Sequence, residues 1–148
     1  MTVTDGATAL AAYAICFEEL TSDHLEALSP LLADDVRFRD PFSDVRGRQA
    51  VLGIFRHMFE AMEAPTFVVL DQAVGKEACY LKWRFSGRVK SAARREIEII
   101  GMSEVTFTEN GLVISHIDHW DAASQVFGLF PVLGPLLRWL SRGFSPAR

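Results

Sequence analysis

The sequence predicts an α+β fold, with helices first and an antiparallel meander after them, on three observations. Apolar residues before Pro65 recur at three- and four-residue steps, whereas after it the period drops to two. The second half is also punctuated by Gly75-Lys76, a basic loop and Asn110-Gly111, the last a strong hairpin signal. Helices grouped ahead of strands build an α+β architecture rather than an alternating one.

The first helix is expected over 7–20, where Leu10, Tyr13 or Ala14, Phe17 and Leu20 form one stripe and Glu18 and Glu19 lie outside it. A second helix, capped by Ser22 or Asp23 with Glu26 behind, buries Leu25, Leu28 and Leu32 and is bent or divided by Pro30. A short strand follows. Alternation places Val36, Phe38 and Asp40 on one face and Arg37 and Arg39 on the other, so the carboxylate points where the hydrophobes point. Pro41 holds Asp40 extended and Gly47 opens a third helix whose stripe is Val51, Ile54, Phe55, Met58 and Met62. A carboxylate ending an apolar stripe serves either pocket chemistry or the capping of nearby backbone N–H groups, and Asp before Pro commonly opens a turn.

Strands are expected at Thr66–Val74, Ala78–Ser86, Glu96–Phe107 and Leu112–Trp120. In the third of these, Ile97, Ile99, Ser103, Val105 and Phe107 share a face opposite Glu96, Glu98 and Glu104, and Gly101 marks a possible bulge. The last strand leaves two faces open: Ile114, His116, Asp118 and Trp120, or Val113, Ser115, Ile117 and His119. Periodicity alone does not choose between them. His116 and Asp118, two apart, share a face at ~7 Å, within reach of an ion pair or a bridging water. Such a pair either works in a site or fixes the strand.

The 148 residues suit one domain, with its core at about 7–121 and an apolar tail at about 122–142. In that tail Leu133, Leu136, Leu137 and Leu140 form a stripe expected to dock on the domain or on a second subunit. The composition, 49% hydrophobic with eleven Phe and three Trp, implies a large core, an internal cavity or an oligomer interface. A net charge of −4 gives no electrostatic case for nucleic acid, and the basic residues Arg84, Arg88, Lys90, Arg94 and Arg95 read as a solvated hairpin end. Cys16 and Cys79 fit neither a disulfide framework nor a metal-ligand spacing, and the four scattered histidines suggest no metal site. The N-terminus lacks the basic region of a signal peptide, and the longest uncharged apolar run, twelve residues broken by Pro131 and Pro135, is too short for a membrane span. A cytoplasmic protein is expected.

The order of elements, the run LADDVRFRDPFSDVRGR and the run ENGLVISHIDHWD resemble the nuclear transport factor 2-like superfamily, in its SnoaL-like and ketosteroid isomerase-like branch. The resemblance spans roughly residues 7–121. It implies a curved antiparallel sheet that forms, with the N-terminal helices, a cone-shaped apolar pocket, and a homodimer through the outer sheet face. It implies Asp40 as a base moving a proton between carbons beside a carbonyl. In that comparison Cys16 and Ser103 fall where isomerases carry their oxyanion donors. A weak S–H donor and a serine argue against efficient steroid isomerisation, since one lost donor costs about 2.7–4 kcal/mol of transition-state stabilisation. Tyr13, one turn earlier, substitutes if it points inward. Limonene epoxide hydrolases match at Asp118 but not at Leu81 and Trp83, where their water-activating partners stand. SnoaL-like polyketide cyclases, which use Asp and His on late strands without cofactor or metal, keep His116 and Asp118 as acid–base candidates.

The implied catalytic set is Asp40, His116 and Asp118. The implied ligand-binding set is Tyr13, Cys16, Phe38, Phe55, Leu81, Trp83, Phe85, Ser103 and Trp120. The expected function is proton transfer on a small apolar carbonyl compound without cofactor or metal. Binding such a molecule without turnover, or serving as a dimeric interaction module, are the alternatives.

Overall fold

A computed structural model describes residues 3–90 and 95–127, together with Pro135 and Trp139. The expected tail stripe of Leu133, Leu136, Leu137 and Leu140 lies outside the described residues, as does Arg94. The elements run α1 (Val3–Glu18), a 3₁₀ helix (Ser22–Leu31), β1 (Leu32–Arg39), β2 (Asp44–Arg46), α2 (Arg48–Ala61), β3 (Met62–Val74), β4 (Cys79–Val89), β5 (Glu96–Phe107), β6 (Val113–His119) and a single turn α3 (Ala122–Gln125). The six strands form one curved, unclosed sheet in the order β2-β1-β6-β5-β4-β3, in which β1 and β6 are parallel and every other pair is antiparallel. Both helices pack on the sheet's inner face, α1 against β3 and β4 and α2 against β1 and β3.

The predicted stripes build this core. Leu10, Tyr13, Ala14 and Phe17 of α1 are buried, as are Val51, Leu52 and Phe55 of α2, and β1 buries Val36 and Phe38 while Arg39 is exposed. Arg37 turns outward into a bidentate pair with Asp44 at 2.9 and 2.7 Å, tying β1 to β2. Gly47 sits at φ 95°, where a side chain would be strained, and its N–H reaches Val36 O at 2.8 Å to start α2.

Several local expectations are corrected. The second helix is capped by Thr21, whose extended backbone lets its hydroxyl accept from His24 N at 3.2 Å, and its kink falls at His24 rather than at Pro30. The buried stripe of α2 includes Leu52, with Ile54 and Met58 only partly buried, and Met62 belongs to the next strand. Strand β3 begins before Pro65. A break in the β3–β4 register between Glu63 and Thr66, with Ala64 at φ 46°, takes the proline out of the ladder of this edge strand.

Gly101 does not mark a bulge, because β4 and β5 pair without interruption from Cys79↔Val105 to Arg88↔Glu96. Its role is to admit the ring of Trp83, the residue directly across the ladder. A Cβ at Gly101 would stand 2.4 Å from Trp83 Cη2. The irregular residue is in β6 instead: Phe107 pairs with Val113 and Thr106 with Ser115, so Ile114 is an extra residue that the partner strand does not match. Parity therefore flips there. Val113 and His116 are both buried, Ile114 is exposed, and the strand takes its inward residues from both predicted faces.

No helix among the described residues is long and apolar enough to cross a membrane.

Candidate functional site

The flipped parity of β6 sends His116 and Asp118 under the helices. Asp118 lies directly opposite Ser103 of β5, Ser103 opposite Leu81 of β4, and Trp83 two residues further along β4 faces Gly101. These side chains meet in an apolar cavity of about 20 Å³ lined by Phe17, Phe55, Phe67, Val69, Leu81, Trp83, Ser103, His116 and Asp118. That volume accommodates about one water molecule.

A continuous hydrogen-bonded chain runs along its floor. Tyr13 Oη meets His116 Nδ1 at 2.9 Å, His116 Nε2 meets Asp118 Oδ1 at 2.7 Å, Ser103 Oγ meets the same oxygen at 2.5 Å, and Trp83 Nε1 donates to Ser103 Oγ at 2.8 Å. Burial is nearly complete at Tyr13 (1%), Ser103 (1%) and His116 (3%). One assignment uses every polar hydrogen. Tyr13 donates to Nδ1, which places the imidazole proton on Nε2 facing Asp118, while Trp83 donates to Ser103 and Ser103 to Asp118. Two donors thus converge on one carboxylate oxygen. Tyr13 keeps its proton firmly, since burial first, then the charge of Asp118 and then Cys16, push its pKa well above the ordinary tyrosine value. His116 is further held by rings: Phe38 at 5.0 Å, Phe17 at 5.6 Å and the edge-on ring of Tyr13 at 5.7 Å.

Asp40 occupies the next position beyond β1, on the side of Phe38, which itself pairs with His116. It is half-buried and serves the turn: its Oδ1 accepts from Phe42 N at 2.8 Å and Ser43 N at 2.6 Å, and its own N–H donates to Ser43 O at 2.9 Å. Burial raises the Asp40 carboxyl above its ordinary range and the charge of Asp118 adds to this, against the lowering effect of the Phe42 and Ser43 bonds. Capping and electrostatic contact with the site coexist at this residue.

Of the sequence-predicted ligand contacts, Phe55, Leu81, Trp83 and Ser103 line the cavity, and Tyr13 and Phe38 stand behind His116. Three are placed elsewhere. Cys16 opens onto a groove between α1 and the 3₁₀ helix with Ile15, Glu19 and His24, because it lies one position, about 100° around the helix, from the buried Phe17 and off the inward stripe. Burial and then Glu19 push its thiol upward. Phe85, one inward position past Trp83, stacks on Phe67 at 4.7 Å and is absent from the cavity wall. Trp120 follows the end of β6 and packs edge-on against Phe42 at 5.4 Å. Asp40 is likewise outside the cavity lining. Sequence reasoning missed Phe17, Phe67 and Val69. Phe17 stood in the helix stripe one turn after Tyr13, and Phe67 and Val69 share parity along β3, but neither signal separates a cavity wall from ordinary core. Among the described residues no group of three or more His, Cys, Asp or Glu side chains is arranged to hold a metal ion.

Residues 15–116 match the SnoaL-like domain family. No curated protein matches the chain significantly. Among solved structures, a protein with a ketosteroid isomerase-like fold from Catenulispora acidiphila, in complex with trimethylamine, superposes with a TM-score of 0.67 at 16% identity over 80% of this chain and 88% of that one. A protein designated a SnoaL-like polyketide cyclase from Jannaschia sp. CCS1 gives 0.68 at 12% identity, covering 97% and 94%. A nuclear transport factor 2-like protein from Burkholderia pseudomallei gives 0.69 at 17% identity, covering 85% and 96%. At such identities the structures speak for the fold, and the family rests on the matched sequence. With two thirds of its length matched and this sheet-and-helix architecture, the chain belongs to the SnoaL-like domain family, on the nuclear transport factor 2-like fold.

Proposed function

We propose that this protein is an acid–base enzyme that moves a proton on a compact apolar molecule bearing a carbonyl, with Asp118 as the proton acceptor, His116 as its partner and Asp40 as the neighbouring acid. One observation carries the reading: a carboxylate at the floor of an apolar cavity takes two converging donors on one oxygen, His116 Nε2 and Ser103 Oγ. An oxygen held in this way orients the carboxylate, and the described residues direct no hydrogen bond to Oδ2, which is the atom that would take the proton. Asp40, whose carboxyl is raised by burial and by the charge of Asp118, supplies a second carboxyl close enough to feel the first. Neither role requires a cofactor.

A second reading, binding without turnover, is favoured by the closure of the polar chain on itself. Tyr13, Trp83 and Ser103 spend their donors inside it, so a substrate carbonyl would have to displace one of them.

The test is a screen of small open-chain ketones and enones for turnover and binding, run with the wild type and Asp118→Asn. Loss of turnover with binding retained supports the acid–base reading, because the amide keeps the shape and cannot take the proton. Full activity in Asp118→Asn refutes it, and binding without turnover in the wild type selects the second reading.

A further inference from the structure

We infer that Trp83 determines which ligands this cavity accepts: its indole occupies the volume a ring-sized ligand needs, so the wild-type site excludes fused-ring molecules. The inference rests on the cavity being the ligand site, as proposed above. Ligand pockets commonly measure ~300–1,000 Å³, yet here the cavity measures about 20 Å³. Trp83 is the largest side chain on its wall.

Three features hold the ring there. On one face, Gly101 leaves room that no other residue would, with a Cβ falling 2.4 to 3.0 Å from three ring atoms. At its edge, the indole N–H donates to the buried Ser103 hydroxyl at 2.8 Å. On its flank, Phe67 packs edge-on at 6.1 Å. The ring is therefore seated by shape and by a directional bond. It also closes the polar chain, since Ser103 receives from Trp83 and gives to Asp118. Ligand volume and carboxylate orientation are thus coupled through one residue. Truncating Trp83 empties a ring-shaped space beside Gly101 and Phe67 that adjoins the cavity, with the Ser103 Oγ acceptor at its end. Free indole matches that space and that acceptor.

The experiment is isothermal titration of wild type and Trp83→Ala with indole and with indene, an isostere without the N–H. Wild type is expected to bind neither up to their solubility limits. Trp83→Ala is expected to bind both, with indole roughly tenfold tighter, the factor one hydrogen bond supplies. Indole binding by the wild type as tight as by the variant would overturn the inference, as would a folded variant that binds neither. If Trp83→Ala does not fold, Trp83→Leu titrated with benzene replaces it: binding by the variant alone supports the inference, and equal binding or none overturns it. The readout is occupancy without turnover, so failure of the acid–base reading through Asp118→Asn leaves this result standing, and the converse holds.

Discussion

Replacing Gly101 with alanine tests the packing that gives the cavity its shape. The new Cβ would lie 2.4 and 2.5 Å from Trp83 Cη2 and Cζ2, whereas carbon atoms rest at about 3.5–4.0 Å. The ring must retreat by roughly 1 Å, and the strand backbone gives little because β4 and β5 pair without a break on both sides. Overpacking of this kind costs about 1–3 kcal/mol. Retreat also stretches the bond to Ser103 and leaves a buried N–H poorly paired, a further ~1–3 kcal/mol. Alanine recovers about 0.5–1 kcal/mol over glycine in a strand, so the net loss centres on about 3 kcal/mol. Urea denaturation reads this as a lowered midpoint at unchanged slope, and thermal melting as a fall of roughly 6–12 °C. The same substitution in a Trp83→Leu background should be neutral or stabilising, because the atoms it strikes are gone. A loss below about 1 kcal/mol in the wild-type background, or an equal loss in both, would refute the reasoning.

At Asp40, asparagine should leave stability nearly unchanged at low pH, where the wild-type carboxyl is protonated, because its oxygen still accepts from Phe42 N and Ser43 N, while alanine should cost about 0.5–2 kcal/mol, both read by urea melts. The same carboxyl sets a pH dependence: its folded value lies above the ordinary 3.8, so the stability it contributes is complete below the unfolded value and is lost as pH rises through the folded one. Asp40→Asn should abolish that loss in melts stepped upward from pH 3.8, and identical profiles for the two proteins would contradict the assigned direction. Tyr13→Phe removes the donor to His116 Nδ1 and should destabilise by about 1–3 kcal/mol while altering the nitrogen chemical shifts of His116; an unchanged imidazole spectrum would show that Tyr13 does not set the tautomer. A homodimer through the outer sheet face, where Ile100 and Met102 of β5 are exposed, should sediment at twice 16.5 kDa and dissociate in Met102→Lys, whereas a 16.5 kDa species at micromolar concentration would count against it.

The α+β class and most element positions were legible because each depends on local periodicity. The three-and-four spacing of Leu10, Tyr13 and Phe17 and the alternation of Val36, Phe38 and Asp40 need only one buried face to become a helix and a strand. Strand β5 matched its predicted span from Glu96 to Phe107 for the same reason. Where the tertiary structure decided, the determinant lay on another element. The parity of β6 depends on an extra residue at Ile114, which exists only relative to the pairing of Thr106 and Phe107, so a face count along β6 alone could not resolve it. Gly101 reads as a bulge in its own strand and becomes a seat for an indole only once Trp83 is set across from it. Likewise His116 and Asp118 were a pair two residues apart in the sequence, but the partners that join them into one chain, Tyr13 from α1, Ser103 from β5 and Trp83 from β4, are brought together by the fold. Local spacing sets which way a side chain points along its own element; what it meets there is set by register, and register is a property of two strands rather than one.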